Sequence, residues 1–185
     1  MNFETIADIY AAYDKNYEDF EKTVSGLTED QENLPSENGK WTVGAIVEHI
    51  AKSETGMMNI SLKLLSKAKD EGETSDGSAN LSSSFLLAIK KSAEEKQKFE
   101  APKTVHPEGG VSISESLKVL KQNRQKLGEM QSMFEAFDGT KHTFPHPAFG
   151  DMTAQHWLAL LGGHIGRHNA QIKRILATNY FIDGR

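Results

Sequence analysis

No cysteine occurs in the 185 residues. Disulfides, thiolate metal sites and a cysteine nucleophile are therefore excluded, and any metal must be held by histidine and carboxylate. Long apolar runs are missing too. Nothing approaches the roughly 20 residues of a membrane span, and Met1-Asn2-Phe3-Glu4 has neither a basic nor an apolar leader segment, so the expected location is the cytoplasm, with no membrane partner. Positive charge is scarce: 21 Lys and Arg against 26 Asp and Glu give a net charge of -5. No Lys/Arg cluster forms the basic face that releases counterions from phosphates, so nucleic acid is excluded and small molecules are the expected partners.

Period-two alternation is also lacking, whereas helical periodicity recurs. Phe3, Ile6, Tyr10, Tyr13, Tyr17, Phe20 and Val24 follow one another at steps of three and four, the spacing of one helix face, up to a stop near Gly26. After a turn-rich stretch, Thr42 caps a second helix carrying Ile46, His49, Ile50, Met57, Ile60 and Leu64, which fades near Lys69. Residues 70–84 are acidic and Ser-rich and read as an exposed loop of low order. A short helix is predicted over 83–99. Ser112 or Ser114 then opens a long helix with Leu117, Leu120, Leu127, Phe134 and Phe137 on its apolar side, ending at Gly139. Residues 140–151, with Pro145, Pro147 and Gly150, read as an irregular linker before a last helix that starts at Asp151 or Thr153 and runs to about Thr178. These elements predict one all-α domain over residues 1–185, a four-helix bundle with a short accessory helix and no strands.

The inward stripe of the last helix reads Trp157, Leu161, His164, His168, Ile172 and Ile175, so two imidazoles share a row with core residues. Residues four apart on a helix lie one above the other, with Cβ atoms about 5–6 Å apart, close enough for two ring nitrogens to meet on one ion. His49 belongs to the apolar stripe of the second helix in the same way. Three buried imidazoles need either separate hydrogen-bond partners or a shared ligand; one metal ion satisfies all three. The spacing of His164-Ile165-Gly166-Arg167-His168 is that of HExxH, but Ile165 replaces the general-base Glu, so a zincin protease is excluded. His156 reads as a cap or a solvent contact near the helix start. His106, His142 and His146 fall in loops, although His146, between Pro145 and Pro147, and Trp41 are candidates for the rim of a pocket at the bundle end. Gln171 and Glu48 are candidates to orient a ligating imidazole, with Glu48 expected on a solvated face.

The segment Gly39-Lys40-Trp41-Thr42-Val43-Gly44-Ala45-Ile46-Val47-Glu48-His49-Ile50 resembles the WS-x-x-E-x-x-x-H-L pattern that opens the second helix of the DinB-like superfamily, which includes the YfiT-like metal-dependent hydrolases. Leu27-Thr28-Glu29-Asp30-Gln31 fits its first interhelical turn. His146-Pro147-Ala148-Phe149-Gly150-Asp151-Met152-Thr153, followed by His164 to Gln171, is similar to its HP-x-FG-x-[LM]-[ST] and H-x-x-x-H-x-x-Q elements. The chain departs from the pattern in carrying Gly44 and Ala45 where the Glu stands, and in its acidic insertion at 70–84. The resemblance implies an up-down-down-up bundle, often a homodimer, with one divalent transition-metal ion, commonly nickel or zinc, on His49, His164 and His168. It further implies a thiol S-transferase using a low-molecular-weight thiol, or a hydrolase of a small molecule. The alternative is a non-catalytic stress-response or binding bundle with a structural or vestigial metal site. Structural zinc sites are usually closed by four protein ligands and rich in Cys, which this chain lacks.

Overall fold

The computed structural model describes residues 3–36, 39–94 and 101–180. Four long helices form the body: α1 (Ile6–Val24), α3 (Val43–Asp70), α5 (Ile113–Ala136) and α6 (Ala154–Tyr180). Between α1 and α3 lies the single turn α2 (Glu29–Glu32); between α3 and α5 lie α4 (Ser83–Glu94) and a 3-10 turn, Lys103–Val105. Polar residues set the starts. Thr5 and Asp8, Thr28 and Gln31, and Ser112 and Glu115 each form a reciprocal capping box, while the Thr42 hydroxyl accepts the Ala45 N–H. No helix among the described residues is long and apolar enough to cross a membrane.

Contacts between the helices give their directions. Tyr13 and Asn16 meet Gly162 and Gly166, and Asp19 meets Asn169, so α1 and α6 run parallel. Tyr10 meets Leu127 and Phe134 while Glu18 meets Arg124, which sets α5 against α1. Thr55 meets Asn123 and Thr74 pairs with Phe137, which places α3 parallel to α5. His49 meets His164, and Leu65 approaches Gly139 just ahead of α6, which makes α3 and α6 antiparallel. The order is up, down, down, up. Consecutive helices that run the same way cannot be joined by a tight turn, which is why residues 71–112 between α3 and α5 form a long crossover. The core that fixes this arrangement joins Ile6, Tyr13, Phe20, Ile46, Ile50, Leu65, Leu120, Phe134, Leu161 and Ile172, each 1% exposed or less. Fully burying a side chain of this size contributes roughly 1.5–3 kcal/mol.

Two expectations need correction. Residues 71–82 are held in place rather than loose: Gly77 O accepts from Ile6, Glu4 O from Ala79, Ala136 O from Ser75 and Glu73 O from Asp138. These are main-chain bonds, which low apolarity does not prevent. Residues 140–151 are not wholly irregular, since β1 (Thr143–His146) and β2 (Gly150–Thr153) form a small antiparallel hairpin. Its loop is residues 147–149, and the chain enters β2 through Gly150 at φ +69°, a left-handed backbone that favours glycine. The helix predicted over 83–99 is seen as Ser83–Glu94, and residues 95–100 lie outside the described residues.

Candidate metal centre

Small residues on α6 aim its histidines. A Cβ at Gly162 would stand 3.2 Å from the Tyr13 Cα, and one at Gly166 3.3 Å from the Asn16 amide, so these glycines seat α6 against α1. His164 and His168 then face α3, where His49 stands on the antiparallel neighbour. The ring centroids are 5.1 Å apart for His49 and His164, 5.1 Å for His49 and His168, and 4.5 Å for His164 and His168. One ring nitrogen from each lies within 4.8 Å of the others, and this is the metal-competent cluster found among the described residues.

The outer contacts orient the rings. His49 Nδ1 lies 2.9 Å from the Val105 carbonyl, which only accepts, so Nδ1 carries the proton and Nε2 keeps its lone pair. His168 Nδ1 likewise lies 2.9 Å from Gln171 Oε1. His164 Nδ1 is buried with no partner, a polar atom left for a group that the chain itself does not supply. Burial, then the neighbouring His168 and His49, hold His164 well below the usual imidazole range. Burial first and His49 second bring His168 down to about 3, and burial lowers His49 despite its bond to Val105. Three neutral imidazoles with unused lone pairs suit a divalent transition metal.

The triad opens onto a cavity of about 680 Å³. Ala101, Pro102, Thr104 and Val105 and the hairpin residues 144–149 form its walls, and Trp41 and His146 both line it. His146 also packs against Phe149 and Trp157, with ring centroids at 4.9 and 5.3 Å. Among the described residues no fourth His, Cys, Asp or Glu joins the cluster, and no carboxylate lines the cavity.

The other histidines serve local structure. His156 completes a cap with Thr153, its Nδ1 accepting the Thr153 N–H at 3.2 Å while its own N–H donates to the Thr153 hydroxyl. His106 bonds Ala101 O through Nε2, and His142 faces Glu71 at 2.9 Å.

Glu48 is not solvated; it is 3% exposed. Its carboxylate accepts the Glu108 N–H at 2.9 Å and the Gly109 N–H at 3.2 Å and pairs with Lys52 at 2.9 Å. Burial alone would raise its pKa, but the bonds from Glu108, Lys52 and Gly109 outweigh it and the group is lowered. Lys52 also reaches His106 O and Glu108. Glu48 thus fastens the segment whose Val105 carbonyl orients His49. Sequence reasoning missed this segment because a main-chain carbonyl leaves no residue-type signal. It also missed Ser53, 3.4 Å from His49 Nδ1, which the i+4 spacing on α3 would have found.

The sequence model of the DinB superfamily matches residues 12–172. The chain is also similar to the uncharacterized protein YuaE of Bacillus subtilis (strain 168), with 22% identity over 156 residues, covering 82% of this chain and 87% of that one. The matched span contains all three histidines, and the chain belongs to the DinB superfamily.

Proposed function

We propose that this member of the DinB superfamily is a metal-dependent enzyme acting on a small molecule, with one divalent ion, nickel or zinc, on His49, His164 and His168. The observation that carries the reading is that the three imidazoles converge and open onto one cavity, with no fourth His, Cys, Asp or Glu in the cluster among the described residues. Catalytic sites of this kind keep a position for water or substrate, whereas structural sites are closed. A divalent ion, when bound, would lower the pKa of a coordinated water or thiol and so supply a nucleophile near neutral pH in a chain that has no cysteine thiol of its own.

The protein residues hold, orient and shelter. Val105 O and Gln171 keep the Nδ1 protons of His49 and His168 directed away from the cluster. Trp41 and the hairpin limit the access of bulk water to the triad. Transfer of a low-molecular-weight thiol to an electrophile, or hydrolysis of a small ester or amide, both fit this arrangement. The test is to assay protein stripped by chelator and reloaded with nickel or zinc for consumption of several such thiols with an electrophile, and for hydrolysis of activated esters. Turnover that follows metal content is expected. A fully loaded protein inert in every combination would instead support the non-catalytic alternative.

A second expectation concerns Glu48. Glu48→Ala frees the segment that presents Val105 O, and metal affinity should fall by roughly 10–100-fold, as when an outer partner of a ligating histidine is lost. Competition with a chromophoric chelator measures it. An unchanged affinity would show that His49 is oriented without this support.

A further inference from the structure

The floor of the cavity is one face of α3, where His49, Ser53, Gly56 and Ile60 follow at steps of four, three and four. Gly56 lies inside a 28-residue helix, where glycine is about 1 kcal/mol less favourable than alanine. Neither packing nor backbone geometry explains it. Its φ is not positive, and a Cβ built there meets nothing within 4 Å, unlike those at Gly162 and Gly166. The space it leaves is the cavity itself. Facing this floor are Trp157 and the hairpin with Phe144 and Phe149. Among the described residues that line the cavity the charged one is Arg167, at the triad end, between His164 and His168 on α6. A polar body placed against the aromatic wall would recover few of its water hydrogen bonds, whereas a flat ring gains contact and stacking.

We propose that the cavity takes an apolar, ring-bearing small molecule, its body over Gly56 and Ile60 and its reacting end toward the triad, and that Gly56 sets the largest body admitted. This deepens the proposed function and rests on that reading only for the direction of the reacting end. The chain has two tryptophans, and both line the cavity, so intrinsic fluorescence reports on it directly.

The test titrates nitrobenzene and 1-nitronaphthalene into the full chain, metal-loaded and stripped, following tryptophan quenching, with metal content measured alongside. Saturable quenching by both probes is expected. Gly56→Leu should weaken 1-nitronaphthalene by roughly tenfold or more and nitrobenzene less, since added bulk excludes the larger ring first. Its metal content should match the parent's. Ile60→Phe, one turn on, carries the same expectation should Gly56→Leu not fold. Quenching that stays linear in probe, or equal affinity for 1-nitronaphthalene in the parent and either folded variant, overturns the inference. One bound ion with linear quenching would defeat this inference and leave the metal site standing. Saturable quenching without stoichiometric metal would do the reverse.

Discussion

His168→Ala is expected to abolish stoichiometric metal binding while the far-ultraviolet circular dichroism stays close to the parent's. The drop in affinity should exceed the roughly 10–100-fold typical of losing an outer partner, because one of three ligands is gone and His49 and His164 alone make a poor chelate. Helix content should persist because the apolar stripes of α1, α3, α5 and α6 form a core that does not include the imidazoles. Truncating a 5%-exposed side chain leaves a small hole, and its effect on stability should be modest beside the effect on metal. Metal analysis of the purified variant, together with its dichroism, reads both quantities. A variant that unfolds, or a parent that unfolds on chelation, would mean that metal binding supplies the folding free energy and that the ion is structural.

Replacing Glu54 should change stability most, and with a definite dependence on pH. Glu54 is 2% exposed, on a part of α3 that faces α1 and α5. The Tyr13 hydroxyl donates to its Oε2 at 3.2 Å, while Oε1 is buried without a partner. Burial pushes its carboxyl from 4.5 up to about 8. Between these values the folded state holds a proton that the unfolded state has released. The contribution of this group is therefore fully present below about 4.5 and lost as pH rises through about 8, on the order of 5 kcal/mol across the window. Glu54→Gln keeps the shape and removes the titration. Denaturant unfolding at pH 5 and pH 8 should show the variant more stable than the parent at pH 8, with the difference shrinking toward pH 5. The lowered histidines act with the opposite sign, but they are common to both proteins and cancel in the difference. An equal response to pH in the two would mean that Glu54 is already solvated or ionised in the fold.

Much of the bundle could be read in the sequence because burial leaves a periodic trace. Ile6, Tyr13, Tyr17 and Phe20 repeat at the helical step and are buried together, and His49, His164 and His168 stand in the same kind of stripe. The direction of each helix was not legible from periodicity; the up-down-down-up order came from the resemblance. The hairpin was hidden because four-residue strands, one containing Pro145, carry too little alternation to register. Glu48 was misplaced for a different reason. It lies about 100° around the helix from His49, on the face it shares with Lys52 four residues on, and the chain that covers that face comes from residues 101–110. The covering segment is held by backbone N–H groups, which no pattern of side chains announces.

The most direct measurement is a metal-loaded structure, by crystallography with anomalous scattering or by X-ray absorption at the metal edge. One nitrogen each of His49, His164 and His168 should lie within about 2.0–2.3 Å of a single ion, with the remaining position held by solvent and turned to the cavity. An ion bound elsewhere, any of the three rings turned away from it, or a fourth protein side chain closing the site would contradict the reading.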